Sequence, residues 1–594
     1  MGILTKLTSN FIFDTYRRVI LLLTPSERRR GVFLAVLSIF GAIVDVMGLA
    51  ALVPVMLAAT DPGFVQKNAF MARLYAAGGF ASMGSFMVAL SVALLLVFIF
   101  KGLVGIYLYH VQSRYAFGVG TDIARRQFIK FYNRGFTHFQ NTNSAEVMNQ
   151  VMNIPTFFTS SVLVSAINFF VETLVILFIL IGIALTDYRL LFLLSAVLIP
   201  AGFLTYNGTK NHLVKLGREQ SSLYNASHSK LVQSIFGYAD VRINNKEEVF
   251  LNDFVQAHSR LNRNNQLRYL IGLIPTKSLE VIAVLGITIT FVYTYLITKD
   301  PEQLYSFIAV FAAAAFRLLP SLNRILTAVM GMKSHQFALE SLENGGLPEE
   351  LDDMEIKHIP FNDKIEFRNV SFRYNDSASH ALHNLNLKVR KGEKVGIIGT
   401  SGSGKTTLMN ILLRFLVEQE GGLYVDGYKI ERKDRRSWRE MVGYVKQDVY
   451  LMDASLRENI AFGVAPDEID DARVLAAAEA ASLSEFIQGL PQGILTNVGE
   501  HGSKISGGQK QRIGIARALY ANSKVLVFDE ATSALDNETE QSITDSIENL
   551  VGQTIFVVAH RVTSLRFCDR IIDLRNGELV GEYTYEEVIR RAGL

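Results

Sequence analysis

The sequence predicts a multidomain membrane protein: a six-helix, all-α transmembrane domain followed by a soluble α/β domain built around a phosphate-binding loop. Three observations predict it. Long apolar runs are confined to about the first 340 residues; beyond residue 361 short strands, Gly turns and charged helices alternate; and Gly399, Gly404, Lys405 and Thr406 meet the spacing G-x-x-x-x-G-K-[ST]. Bulk composition agrees with such a hybrid. Of 594 residues, 49% are hydrophobic and 19% charged, below the soluble norm of about 25% charged, and mean hydropathy is +0.23. This composition disfavours a disordered or purely soluble chain. The net charge of +3 gives no bulk reason to bind nucleic acid, and the single cysteine, Cys568, excludes an internal disulfide or a multi-cysteine metal site.

Six segments reach the roughly 17 to 25 apolar residues that cross a hydrocarbon core of about 30 Å. They are 32–58, 87–110, 159–185, 190–206, 270–297 and 304–333. A soluble bundle with six such helices would have too little polar surface to cover them. Basic residues gather at the start (Arg17, Arg18, Arg28 to Arg30) and in the connections 111–158 and 207–268, which carry Arg125, Arg126, Lys130, Arg134, Lys210, Lys215, Arg218, Arg260 and Arg263. The opposite connections hold few, so both termini are expected in the cytoplasm. Near the start, FIF and VILLL are separated by charges, unlike a cleaved signal peptide. The two basic connections are long and helical in pattern, so the membrane helices are expected to continue past the bilayer. The transmembrane domain is expected over 1–345, a linker of Gly, Pro and acids over 346–360, and the α/β domain over 361–594.

In the second half, KVGIIGTSGSGKTTLMNILLRF reads as a strand, a Gly-rich loop and an amphipathic helix. Glycines let the backbone curl until several N–H groups face one phosphate chain at the positive end of the helix. Lys405 can reach β and γ phosphates, and the Thr406 hydroxyl can hold Mg²⁺. The strand Val525 to Phe528 ends in Asp529 and Glu530. A carboxylate there can orient the waters of the metal, and its neighbour can polarise an attacking water, which assigns Asp529 to Mg²⁺ and Glu530 to catalysis. Two acids capping the next helix are the plainer alternative, which the phosphate loop disfavours.

The remaining motifs resemble those of ATP-binding-cassette proteins. ISGGQ at Ile505 to Gln509, followed by KQRIGIARAL, resembles the family signature with Ile505 in place of leucine; Gln447 stands in YVKQDVYLMDASLRENI like the Q-loop glutamine; TNVGEHG at Thr496 to Gly502 resembles an exporter-specific loop; Ser533 to Asp536 match the D-loop; His560 in VVAHR matches the switch histidine; and Tyr374 in VSFRY matches the aromatic that stacks on adenine. Six crossings followed by one cassette resemble a half-transporter, a type I exporter of the type IV fold. The resemblance implies an ATPase with ATP and Mg²⁺. Gly399, Thr400, Ser401, Gly402, Ser403, Gly404, Lys405, Thr406 and Thr407 would hold the phosphates, Thr406, Gln447 and Asp529 the metal, and Glu530, His560, Gln447 and Lys405 would take part in catalysis. It also implies a dimer, each ATP lying between Lys405 of one copy and Ser506, Gly507, Gly508 and Gln509 of the other. Because no catalytic position is degenerate, a homodimer is expected, and ATP-driven closure of the two cassettes would change the side to which the helices open.

Charged residues inside a bilayer are costly and mark candidate function. Asp45, Lys101, Glu172, Lys277, Glu280, Arg317 and Arg324 fall in or near crossings. Arg317 and Arg324, seven apart with Pro320 between them, share a helix face. AFRLLPSLNRI, together with LLTPSERRRGVFLAVLSIFGAIVDVMGLAALVPVM, resembles bacterial flippases of lipid-linked oligosaccharides. That resemblance implies the cytoplasmic (inner) membrane, a polyprenyl-pyrophosphate-linked glycan as cargo, and Lys101, Lys277, Arg317 and Arg324 as its phosphate contacts. It also implies an external helix at Phe64 to Phe80 with Phe70, Met71, Leu74 and Tyr75 on one apolar face. The alternative cargo is a peptide or another lipid or amphiphile. A channel gated by the cassette, or a soluble cassette acting on nucleic acid, is disfavoured by Glu530 and by the six spans.

Overall fold

The computed structural model describes all residues except 1, 61–62, 187, 294–300, 344–358, 375–378, 531–536, 560 and 593–594; in 2–10, 301–317 and scattered helical positions only the backbone course is described. The chain divides into two compact units, one comprising 1–134 and 141–351, the other 135–140 and 352–594. Most of the expected linker, 346–360, lies outside the described residues. Assignment of 135–140 to the second unit has no signal in the sequence.

The first unit is helical. Its long members are Pro25–Thr60, Met83–Asn133, Val164–Thr186, Tyr188–Phe236, Glu247–Tyr293 and Pro301–Ser334. Among the described residues, four stretches are long and apolar enough to cross a membrane: Pro25–Met56, Met83–Asn133, Ser144–Ala184 and Glu247–Gly286. The expected fourth and sixth spans fall on Tyr188–Phe236 and Pro301–Ser334, whose apolar stretches lie largely outside the described side chains. At about 1.5 Å per residue, the 51-residue helix Met83–Asn133 outruns a hydrocarbon core more than twofold, as expected of a membrane helix that continues past the bilayer. Val88, Val92, Leu95, Leu96, Ile99, Phe100 and Leu103 are exposed along it, a surface that water would disfavour and lipid would not.

The segment Phe64 to Phe80 differs from the single amphipathic helix expected. It forms two short helices, Phe64–Lys67 and Ala69–Ala77, because the Asn68 side chain accepts from the N–H groups of Phe70 and Met71 and starts a new helix. The expected apolar face is divided as well. Met71 is buried and Tyr75 packs edge-on to Phe86 at 5.3 Å, whereas Phe70 and Leu74 are exposed. Only those two remain available to a lipid.

The second unit holds two sheets. Strands β1 (Lys364–Phe372), β2 (Leu382–Arg390), β4 (Glu420–Val425) and β5 (Tyr428–Lys429) form an antiparallel sheet in the order β2-β1-β4-β5. Strands β3 (Lys394–Ile398), β6 (Val442–Val445), β7 (Val525–Asp529), β8 (Thr554–Val558), β9 (Arg570–Arg575) and β10 (Glu578–Tyr583) form the other, in the order β10-β9-β3-β8-β7-β6. From β9 to β6 all pairs are parallel. Strands buried on both faces need continuous apolar runs, which TIFVV and VLVF supply: all five residues of β8 and the first four of β7 are buried.

Candidate functional site

Because β3, β8, β7 and β6 run parallel, their carboxyl ends share one edge of the sheet, where α/β folds bind ligands. Three of the sequence motifs leave from this edge: 399–407 after β3, Glu530 after β7 and Gln447 two residues past β6. His560 and the D-loop, 533–536, lie outside the described residues.

The loop after β3 has Gly399, Gly402 and Gly404 at φ of 153°, 80° and 106°. Gly404 is the N-cap of the helix Lys405–Leu412, and no side chain caps its first turn, so the leading N–H groups face the loop. A Cβ on Gly404 would meet the Ala381 carbonyl oxygen at 2.5 Å, so only glycine closes the loop this tightly. Lys405 is buried and folds back, its Nζ donating to the carbonyls of Gly399 at 2.8 Å and Thr400 at 3.0 Å. Thr400, Ser401, Gly402 and Thr406 are exposed at the rim, while Ser403 and Thr407 are buried. Tyr374, half-buried edge-on to Phe372, shares a hydrogen bond of 3.3 Å between its hydroxyl and that of Thr407, so the expected adenine partner stands beside the loop.

Asp529 and Glu530 are both half-buried. Burial pushes the Asp529 carboxyl above the usual carboxylate range and the charge of Glu530 adds to this; the Tyr444 hydroxyl, Lys446 and Lys405 act the other way. Glu530 has a left-handed backbone, φ 51°, and its N–H donates to Val558 at 2.9 Å. A non-glycine residue held there carries strain, which clusters at functional sites. Gln447 is exposed, and its backbone carbonyl accepts a hydrogen bond from the Gln511 side chain. Ser506 is the N-cap of the helix Gly507–Tyr520 and forms a capping box with Gln509. Ser506 and Gly507 are exposed, Gly508 is buried and Gln509 half-buried. Gln511 and Tyr444 were given no role by sequence reasoning, although KQRIGIARAL and YVKQDVYLMDASLRENI contain them; only the folded chain brings them to Gln447 and Asp529.

A second polar site lies among the membrane helices. A cavity of about 550 Å³ is lined by Asp45, Lys101, Tyr109, Glu172, Pro320 and Arg324, among others. Lys101 pairs with Asp45 at 2.7 Å, and Arg324 with Glu172 at 2.7 Å and the Tyr109 hydroxyl at 3.1 Å. Lys101 passes close over Gly48, where a Cβ would stand 2.8 Å from its Cδ. Thus Lys101 and Arg324 are brought to one cavity, each beside a carboxylate. Lys277 is not brought there: it is exposed and pairs with Glu280 at 2.9 Å on its own helix. The Arg317 side chain lies outside the described set.

A loop that cradles phosphate, carboxylates at the adjoining strand end and a run of membrane helices define a membrane-embedded nucleotide-hydrolysing machine. The family model described as "ABC transporter" matches residues 382–533. The chain is 32% identical over 459 residues to an ATP-dependent lipid A-core flippase of Cupriavidus metallidurans, covering 75% of this chain and 74% of that protein. It is also 32% identical over 482 residues to a Bacillus subtilis protein named provisionally as a multidrug export ATP-binding/permease protein, covering 79% and 81%. In fold it matches a bacterial Atm1-family ABC exporter, with a TM-score of 0.79, 24% identity and coverage of 96% and 98%. The chain belongs to the ABC transporter family, as a half-transporter with one helical membrane region and one cassette. It is an ATPase whose ATP hydrolysis is coupled to transport.

Proposed function

We propose that this transporter is an ATP-driven flippase, working as a homodimer in the cytoplasmic membrane with both termini in the cytoplasm, and that it moves a polyprenyl-pyrophosphate-linked oligosaccharide by alternating access. The observation that carries the cargo reading is the pair of cations, Lys101 and Arg324, at one intramembrane cavity. A diphosphate is the group such a pair suits, because it can replace both carboxylate partners at once. Relatives named as lipid flippases support an amphiphilic cargo; the multidrug-export relative favours the broader class of other amphiphiles.

In the cassette, Lys405 and the loop 399–407 bind the phosphates, Tyr374 stacks on the base, Glu530 polarises the attacking water and His560 contacts the γ phosphate. Ser506, Gly507, Gly508 and Gln509 of the second copy close over the nucleotide. The donors assigned to Mg²⁺, the Thr406 hydroxyl, the Gln447 amide and the Asp529 carboxylate, include one carboxylate. No cluster of three His, Cys, Asp or Glu occurs among the described residues. Such a sparse oxygen set suits an ion held largely by substrate phosphates and water. When bound, Mg²⁺ neutralises phosphate charge.

The test is movement of a labelled polyprenyl-pyrophosphate glycan in proteoliposomes, with the Glu530→Gln protein as control. Movement and stimulated ATPase with this lipid but not with unrelated peptides are expected; equal stimulation by peptides refutes the cargo reading.

A further inference from the structure

The cassette holds a polar contact that the roles above do not use. Tyr444 lies on β6 in register with Val527 of β7, and its hydroxyl donates to Oδ2 of Asp529 at 3.0 Å. Asp529 is the last residue of β7, so its side chain stands at the strand end. The hydroxyl occupies one of about four lone-pair positions of the carboxylate. That fixes the plane of the group and leaves the other positions for ligands.

The ring of Tyr444 is itself held. Phe415 packs on it at 6.3 Å and an interplanar angle of 69°, and Phe136 stacks on Phe415 at 4.9 Å and 14°. Phe136 belongs to the segment 135–140, which the second unit takes from the long connection between the second and third expected spans. Three rings therefore run in series from this segment to the carboxylate.

We infer that Tyr444 is a positioning residue for Asp529, presenting its carboxylate to the divalent metal of the nucleotide site, and that Phe136, through Phe415, sets where Tyr444 stands. The inference rests on the reading of Asp529 as a metal ligand. Removing the hydroxyl alone loosens the carboxylate; removing Phe136 loosens the ring that carries the hydroxyl.

The experiment uses the full-length protein in the Glu530→Gln background and measures two affinities. Mn²⁺ binding in the presence of ATP is followed by electron paramagnetic resonance, and binding of a fluorescent ATP analogue is followed without metal. Tyr444→Phe, which keeps the ring, is expected to weaken Mn²⁺ binding about tenfold, from loss of one hydrogen bond to a charged group, and to leave metal-free nucleotide binding unchanged. Phe136→Ala is expected to weaken Mn²⁺ binding alone but to add nothing in the Tyr444→Phe protein. Unchanged Mn²⁺ affinity in Tyr444→Phe overturns the positioning role, as does a parallel loss of metal-free nucleotide binding. Additive effects of the two substitutions overturn the link to Phe136. Asp529→Ala separates failure of the underlying reading: if it too retains wild-type Mn²⁺ affinity, Asp529 is not a metal ligand.

Discussion

Replacing Arg324 by alanine should do two separable things. The Glu172 side chain is 4% exposed and that of Arg324 48%, so the substitution takes from a buried carboxylate a cation that still touches solvent. Breaking a buried pair from one side costs about 3–5 kcal/mol. With the guanidinium half exposed, screening reduces this to roughly 1–3 kcal/mol, and the hydrogen bond to Tyr109 goes as well. In thermal unfolding of the purified protein the midpoint should fall by roughly 1–4 °C. Adding Glu172→Gln removes the buried charge that Arg324 balanced, so the double variant should recover most of that loss. It should not recover stimulation of ATPase by the pyrophosphate lipid, because the cation proposed to meet the phosphate is still missing. A double variant that regains both stability and lipid stimulation would show Arg324 to be only the partner of Glu172, and the cargo reading would fail with it.

Glu530→Gln should retain nucleotide binding and lose ATP turnover by at least about a hundredfold, the lower scale of general-base loss; near-normal phosphate release refutes its assignment. Gly404→Ala forces a side chain into a left-handed backbone against the Ala381 carbonyl, strain of about 1–3 kcal/mol, and should weaken binding of a fluorescent ATP analogue by tenfold or more. Burial pushes the Cys568 thiol from 9.0 up to about 12, so maleimide should label the native protein negligibly at pH 8 and rapidly once it is unfolded. A group raised in this way stabilises the fold fully below its unfolded pKa, and that contribution drains away as pH climbs from about 9 towards 12; urea titrations of wild type and Cys568→Ala across that window should converge at its upper end.

The cassette was legible in the sequence because its chemistry is local. Gly399 to Thr407 are consecutive, Asp529 and Glu530 end one apolar strand, and Ser506 with Gln509 is a capping box that can be written down from spacing alone. What joins these pieces was not legible. Tyr444 reaches Asp529 across 85 positions and Gln511 reaches Gln447 across 64, and no periodicity encodes either contact. In the membrane region, hydropathy located charged residues without revealing their partners. Lys101 and Arg324 converge because helices far apart in sequence pack together, whereas Lys277, equally prominent as a letter, turns to Glu280 one turn away. The Phe64 to Phe80 segment shows the limit of amphipathic reading: the apolar spacing was seen, but Asn68, an unremarkable residue in that pattern, restarts the helix and turns Met71 inward.

The assignment of 135–140 to the α/β unit bears on how that unit should be produced in isolation. A soluble fragment cut at residue 361 would lack Phe136, stripping a stacked aromatic from Phe415 and presenting that ring to water. Fusing the hexapeptide back through a flexible tether, or replacing Phe415 with a smaller polar side chain, would restore a solvent-compatible skin to the excised piece.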